Sequence, residues 1–541
     1  GVVIAPWNFP IGISVGTIAA PLAAGNVVIY KPSSLSMLTG YKLCECFWDA
    51  GIPKDALIFL PSKGSDISAH LLGDESIKFS VLTGGEDTAY AMLKANPTLM
   101  LSAETGGKNA TIVSKMADRD QAVKNIIHSA FSNSGQKCSA TSLLVLEKEV
   151  YEDKEFKKCL VDAAASLSVG SPFELKNKIG ALADKPSQKL SKALNELQTY
   201  EEWALPPKFI NDNELLMCPC IKYGTKQGDF THLNELFAQL LTVMCADNLK
   251  HAIDIVNSTG YGLTAGLESL DEREWEYFHT HIEAGNIYIN KPTTGAIVLR
   301  QPFGGVKKSA IGFGRKVGIY NYITQFLDIY QEKADENLSS NAISKALQGF
   351  EGKDGAQKEA LNKALTMAQS YAYHKENEFD LAKDYVSIRG EDNLFSYTKI
   401  KNLAFRLCED DDLSDILGVI IGANTLQIPL FISYESQNEK VKFAQKICEK
   451  ANLKAEFNKE SSKNFADKIP NFERVRYHAK ASKDDIIYKS AAQNAKIIIA
   501  PKPLINGRFE LLYYHNEKSL SVSYHRYGNL GIKALNSKPK I

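Results

Sequence analysis

Apolar and polar positions alternate along the first hundred residues in short blocks. VVIYK (27–31) stops at Pro32, IKFSVL (77–82) stops at Gly84 and Gly85 before a helical EDTAYAML, and LMLSAE (99–104) stops at Gly106 and Gly107. Brief β-branched runs separated by helical stretches predict a parallel sheet wrapped by helices. Such sheets bind ligands at the carboxyl ends of their strands, where each of these runs delivers polar residues. Between 119 and 131, Ala122, Val123, Ile126, Ile127, Ala130 and Phe131 keep helical spacing; Ser132 to Gly135 break it, and SLLVLE (142–147) resumes as a strand. Cys138 therefore falls on a short loop between two regular elements, a position that favours chemistry over core filling.

Residues 333–380 turn polar and charged and read as a linker with surface helices. Beyond them, LGVIIGANTLQIPLFISYE (417–435) and AKIIIAPKP (495–503) read as buried strands of a second α/β module. GANTLQIPLFISY faintly echoes AAGNVVIYKPSS near the start, the outline of an internal duplication. The opening GVVIAPW reads as a strand, and Pro6, Pro10 and Pro21 leave only Ile11 to Ala20 for an uninterrupted helix. That is too short for a membrane span, which needs roughly 20 residues, and no basic stretch precedes it as in a secretion signal. A chain opening on Gly1 in mid-strand reads as a fragment.

Composition narrows the class. With 541 residues and 44% hydrophobic content the chain is long enough for two or three packed domains. Sixty-three basic residues balance 63 acidic ones, so no net field favours nucleic acid or an anionic membrane, and a small-molecule ligand is expected. Nine scattered cysteines, an odd number, do not form a disulfide framework and point to a reducing, cytoplasmic setting. Cys218-Pro-Cys220 lacks a second ligand pair at metal spacing, so no metal is expected.

APWNFP, AGNVVIYKPSS, VLTGG, SAETGGKNA, SGQKCS, NELF and QPFGGVKKS, in that order, resemble the aldehyde dehydrogenase superfamily over residues 1 to about 332. AETGGKNA, GQKCSA and TGAIVLRQPFGG are most similar to the L-glutamate γ-semialdehyde dehydrogenase module of the proline utilisation A family. ELLYYHNEKSLSVSYHRYGNLG is similar to the ending of that bifunctional family's longer members. The resemblance implies an α/β fold in parts. Residues 1–103 would form a Rossmann-like NAD-binding domain lacking its N-terminal part, and 104–315 an α/β catalytic domain. Residues 316–332 would return to the cofactor and oligomerisation region, 333–380 would be the linker, and 381–541 a second, non-catalytic Rossmann-like domain with a lid-like tail. Tyr524, His525, Arg526 and Tyr527 would be lid and interface residues.

The implied chemistry explains the residue types. Oxidising an aldehyde requires hydride to leave; a thiolate adding to the carbonyl makes an adduct from which hydride can pass to a nicotinamide. Cys138 is the candidate thiolate. By resemblance, the Asn8 amide and the Cys138 backbone N–H form the oxyanion hole, a donor type worth about 2.7–4 kcal/mol in other enzymes, and Glu104 is the base that activates water for thioester hydrolysis. Lys31 resembles the lysine that binds the adenosine ribose, Gly84 and Gly85 would admit the pyrophosphate at a helix start, and Glu235 and Phe237 would hold the nicotinamide ribose and ring. Where NAD-preferring relatives carry glutamate two residues beyond the KP proline, this chain has Ser34, which relaxes repulsion of a 2′-phosphate; NAD is expected and NADP less favoured. Ala238 and Gln239 replace the usual Gly-Pro after NELF and put that loop's conformation in question. Gly295, Ala296, Ser139 and Phe303 would bind the substrate's α-carboxylate and aliphatic stem, with Arg300 beside them.

The expected reaction is NAD-dependent oxidation of L-glutamate γ-semialdehyde to glutamate in proline catabolism. Partners would be the aldehyde and a proline dehydrogenase domain of a longer parent chain, with FAD only in that domain, and a homo-oligomer is expected. A dehydrogenase for another semialdehyde, such as succinate semialdehyde, and a non-catalytic scaffold docking proline dehydrogenase stay open. Related dehydrogenases carry further sheet strands before APWNFP, so the isolated chain is expected to be poorly folded or inactive.

Overall fold

The computed structural model describes residues 1–330, 335–525, 527, 528 and 530. The blocks of the first hundred residues form β1 (Val2–Ile4), β2 (Val28–Lys31), β3 (Leu57–Phe59), β4 (Phe79–Thr83) and β5 (Met100–Glu104). They are followed by β6 (Ala110–Val113), β7 (Leu143–Glu147), β8 (Glu202–Leu205), β9 (Cys220–Tyr223), β10 (Leu240–Ala246), β11 (Thr264–Glu268), β12 (Asn286–Ile289) and β13 (Ala310–Ile311). The remaining strands are β14 (Glu391–Lys399), β15 (Leu403–Arg406), β16 (Leu430–Tyr434), β17 (Glu456–Lys459), β18 (Arg474–Tyr477), β19 (Ile497–Ile499) and β20 (His515–Ser523).

These strands make three sheets, ordered β13-β5-β4-β1-β2-β3, β14-β20-β12-β11-β6-β7-β10-β9-β8 and β17-β16-β15-β18-β19. β1 to β5 pair in parallel, as do all five strands of the third sheet. The expected α/β class with two Rossmann-like sheets is therefore met. Parallel strands are covered on both faces, which is why LLVLE of β7 is buried throughout. The helix read between 119 and 131 spans Arg119–Phe131, its start capped by the Asp118 carboxylate accepting from Gln121 N–H.

Three expectations are corrected. The helix Gly12–Ala23 runs through Pro21, because a proline in the last turn removes only one ladder bond. Leu413–Thr425, within the run read as strand, is a helix buried on nearly every side. A helix with no polar face shows no amphipathic period, so its apolar run is indistinguishable from a buried strand. Gly355–His374, read as part of a surface linker, is a helix whose Leu361, Ala364, Met367 and Tyr371 belong to the core around the third sheet. Its Lys and Glu positions masked an alanine-rich stripe.

The faint internal echo has a structural counterpart. β1, the helix Gly12–Ala23 and β2 follow the same course as β15, the helix Leu413–Thr425 and β16, and the order 3-2-1-4-5 recurs in both sheets. The C-terminal region also contributes β20 to the nine-stranded sheet, parallel to β12 with Asn286 opposite Ser519 and Ile289 opposite Val522. β14 closes that edge antiparallel to β20 from Glu391–Ser523 to Lys399–His515. Of the expected lid residues, Arg526 lies outside the described residues; the Tyr524 hydroxyl accepts from Gly390 N–H, and the Tyr527 hydroxyl bonds the Asp118 carboxylate. Among the described residues no helix is long and apolar enough to cross a membrane.

Candidate active site

A cavity of about 600 Å³ lies where the carboxyl ends of β1, β4 and β5 meet loops of the nine-stranded sheet. Asn8, Gly84, Gly85, Glu104, Cys138, Ser139, Glu235, Phe237, Gly295, Ala296 and Phe303 all line it. Lys31 and Ser34 do not. Lys31 ends β2, is buried, and donates to the Pro32 carbonyl over 3.1 Å; Ser34 is exposed in the turn that follows.

The loop that presents Cys138 is shaped by three successive left-handed residues, Asn133, Ser134 and Gly135, with φ of 54°, 58° and 65°. Asparagine, serine and glycine tolerate this conformation, and the reversal at the end of Arg119–Phe131 turns the chain into the cavity. Asn8 Nδ2 donates to the Gln136 carbonyl over 3.1 Å, leaving its second amide hydrogen for a ligand. The Cys138 thiol is pushed up to about 12, first by burial and then by the charges of Glu235 and Glu104, against the backbone N–H groups of Cys138 and Ser139. Burial thus disfavours the expected thiolate.

Glu104 stands at the end of β5. Its Oε2 accepts from Gly305 N–H at 2.9 Å, and burial pushes it up to about 7 against that hydrogen bond and the Lys316 ammonium. Glu235 Oε1 accepts from Gly107 N–H at 2.9 Å and is likewise pushed up to about 7, chiefly by burial. Gly106, with φ of +94°, is required here, since a Cβ would stand 2.4 Å from Glu235 Oε2. Phe237 sits at φ 54° with its ring edge-on to Trp7, centroids 5.8 Å apart. The loop put in question by Ala238 and Gln239 is ordered by burial, with Gln239 accepting from Cys220 N–H at 2.9 Å.

The segment 295–301 forms the far wall. Gly295 takes φ +88°, Leu299 N–H donates to the Gly318 carbonyl at 2.9 Å, and Phe303 exchanges two 2.9 Å backbone bonds with Val317. Gln301 ties this wall to the antiparallel strand pair β14–β20: its Nε2 donates to Asn393 Oδ1 at 2.6 Å and to Glu391 Oε1 at 3.0 Å, while its Oε1 accepts from Ile297 N–H. Arg300 lies outside the cavity lining; its charge acts on Glu391.

Sequence reasoning missed Asn109, Lys316 and Gln301. Asn109 follows the quoted GGK and could have been read as a loop strap; Lys316 and Gln301 gave no signal, because their partners lie far away in sequence. In the third sheet, β15 is followed by CEDDD (408–412). Asp411 pairs with His478 at 2.6 Å and Lys502 with Asp415 at 2.8 Å. Acidic side chains at that helix start oppose phosphate binding. No group of three or more His, Cys, Asp or Glu able to hold a metal occurs among the described residues.

Residues 1–331 match the model of the aldehyde dehydrogenase family. The chain is similar to 1-pyrroline-5-carboxylate dehydrogenase of Staphylococcus haemolyticus, 33% identical over 336 residues, and of Oceanobacillus iheyensis, 34% identical over 337. Each alignment covers 61% of this chain and 65% of the relative, so the chain spans slightly under two thirds of their length. Among solved structures, proline utilization A from Corynebacterium freiburgense superposes with a TM-score of 0.83 at 32% identity, over 97% of this chain and 50% of that one. 1-Pyrroline-5-carboxylate dehydrogenase from Thermus with bound NAD gives 0.56 at 33% identity, over 61% and 64%.

Proposed function

The chain belongs to the aldehyde dehydrogenase family, and from that premise we propose that it oxidises L-glutamate γ-semialdehyde to glutamate with NAD as hydride acceptor. The observation that carries this reading is the convergence of Cys138, Glu104 and Asn8 with Gly295, Ala296, Ser139 and Phe303 in one cavity. Residues 1–103 hold the cofactor and 104–315 the chemistry in this reading. Relatives named for the same substrate in its cyclised form support the substrate class.

The residues present fit a dinucleotide. A Cβ on Gly85 would meet nothing within 4 Å, so the start of the helix Glu86–Ala95 is open to close approach. Lys31 would hold the adenosine ribose, and Glu235 and Phe237 the nicotinamide ribose and ring. Bound NAD supplies a hydride acceptor. Ser34 adds no negative charge beside the ribose, so discrimination against NADP rests on weaker contacts.

The protein's own part follows from geometry and proton affinity. The Cys138 proton leaves to solvent, and Sγ forms a bond to the aldehyde carbon. The Asn8 amide and Cys138 N–H donate to the resulting oxyanion. After hydride departs, Cys138 carries a thioester. Water attacks its carbonyl carbon, its proton passes to Glu104, the C–S bond breaks, and the carboxylic acid leaves as sulfur regains its proton. Backbone N–H groups of Gly295 and Ala296, with the Ser139 hydroxyl, would anchor the α-carboxylate.

By the resemblance to proline utilisation A, a flavin-dependent proline dehydrogenase supplies the aldehyde. The test is NADH production from L-glutamate γ-semialdehyde against succinate semialdehyde, with NAD and with NADP. Equal rates on both aldehydes would refute the carboxylate-and-amine reading, and an active Cys138→Ala variant would refute the mechanism. A chain that makes no NADH yet binds proline dehydrogenase would establish the scaffold instead.

A further inference from the structure

Lys316 is fully buried, and its ammonium donates to Asn286 Oδ1 at 2.9 Å and to the Gly304 carbonyl at 2.5 Å. Among the described residues no carboxylate stands within ion-pair distance of it. A buried ammonium with only neutral acceptors is expensive to keep charged, so such a residue persists where its charge serves another group.

The nearest use is Glu104. Gly304 stands between the two: a Cβ there would lie 3.1 Å from Glu104 Oε1 and 3.3 Å from Lys316 Cγ. The next residue, Gly305, donates its N–H to Glu104 Oε2. β13 locks this segment against β5, pairing Ala310 with Glu104, and Thr105 N–H donates to the Ser309 carbonyl. Lys316 is held from its other side by Glu517 of β20, whose Oε2 accepts Lys316 N–H at 2.7 Å and which also binds Asn321 and Arg315. The charges acting on the Lys316 ammonium are Glu104 on β5 and Glu517 and Lys518 on β20, with Arg315 adjacent in the chain.

We propose that Lys316 is a positioning residue for thioester hydrolysis: its ammonium, acting across the Gly304 backbone, holds the buried Glu104 carboxylate ionised so that it can accept a proton from water. The arrangement makes β20 part of that support, because Glu517 fixes the backbone from which Lys316 extends. The inference rests on the proposed dehydrogenase reading. It adds to that reading a residue touching neither substrate nor cofactor. Direction is supported by burial, which lowers Lys316 to about 8 while Glu104 and Glu517 oppose the fall.

The experiment is pre-steady-state NADH formation by the full chain across a pH series, wild type against Lys316→Gln and Lys316→Arg. Glutamine keeps a hydrogen-bond donor and removes the charge; arginine keeps the charge. Removing an opposite charge near a carboxylate raises its proton affinity, so the acid limb of kcat should move up by about one pH unit in Lys316→Gln and stay in place in Lys316→Arg. Below the shifted limb hydrolysis becomes slow, and a burst of one NADH per site should appear in Lys316→Gln while KM for NAD is unchanged. If Lys316→Gln lowers the rate by the same factor at every pH, the inference is overturned, since that is what a packing defect does.

A double-mutant cycle covers the case in which the variants are destabilised. On a Glu104→Gln background the Lys316→Gln change should have no further effect on hydrolysis, whereas a structural role would multiply the two losses. A wild-type chain that is folded yet forms no NADH removes the functional reading and this inference with it; an active wild type with an unmoved limb removes only this one.

Discussion

Asn109 spans the nucleophile: its Nδ2 donates to the carbonyls of Cys138 at 2.5 Å and Ala140 at 3.1 Å, while its Oδ1 accepts from Thr264 N–H at 3.0 Å. One buried amide therefore fixes the residues on both sides of Ser139 to β11. Asn109→Ala strands three buried backbone groups, each costing about 1–3 kcal/mol when left unpaired. We expect lower denaturation midpoints in urea and a loss of NADH production larger than the loss of folded protein. Activity scaling with the folded fraction would show that the strap stabilises the fold without placing Cys138.

Gly135 faces the NELFAQ loop so closely that a Cβ would lie 2.4 Å from the Ala238 carbonyl oxygen, at a φ of +65° that already disfavours side chains by about 1–2 kcal/mol. Gly135→Ala must displace one loop or the other. Both carry site residues, Cys138 on one and Glu235 with Phe237 on the other, and a displacement near 1 Å costs about a hundredfold in rate. kcat/KM should fall by about that factor with far-UV dichroism unchanged. An unaffected kcat/KM would mean that the two loops can separate without moving the sulfur.

What was legible in the sequence was local. β2, β4, β5, β7 and the helix Arg119–Phe131 each announce themselves within a few residues through β-branched runs, helical spacing and Gly or Pro stops. The site residues came from ordered motifs, and the structure places eleven of the thirteen around the cavity. Illegible were features made by long-range pairing. Nothing in HNEKSLSVS says that it completes a sheet begun four hundred residues earlier, and GRKVG reads as a solvated basic run although Arg315 and Lys316 are buried. Nor could spacing show that burial and the charges of Glu235 and Glu104 would disfavour the Cys138 thiolate.

Glu104 gives a pH dependence with a definite sign. Burial raises its proton affinity from the ordinary 4.5 to about 7, so the fold favours the protonated form. Its contribution to stability is complete below pH 4.5 and is lost as pH rises through about 7. Catalysis needs the ionised form, so kcat should fall as pH drops below about 7. Glu104→Gln should therefore leave only slow residual turnover yet raise the melting temperature relative to wild type above pH 7, with the gap closing below pH 4.5. A variant less stable than wild type above neutrality would show that the Gly305 hydrogen bond outweighs the burial of the charge.

The antiparallel pair β14–β20 is predicted to act on substrate affinity through Gln301. Asn393 Oδ1 accepts from Gln301 Nε2 at 2.6 Å and from the Ser521 hydroxyl at 2.7 Å, and Lys291 pairs with Glu391 at 2.8 Å alongside. Gln301 in turn holds the N–H of Ile297, the residue that follows the Gly295-Ala296 pair assigned to the α-carboxylate. Asn393→Ala removes the acceptor that orients Gln301 while leaving Cys138, Glu104 and the cofactor contacts untouched. At about 1 kcal/mol per lost hydrogen bond, KM for the aldehyde should rise about fivefold to tenfold, with kcat and KM for NAD little changed. The amide touches the anchoring loop and not the reacting carbon, so the effect should vanish for an aldehyde lacking the α-carboxylate. A fall in kcat with KM constant would instead assign the β14–β20 pair to the chemistry of Glu104, through Glu517 on β20.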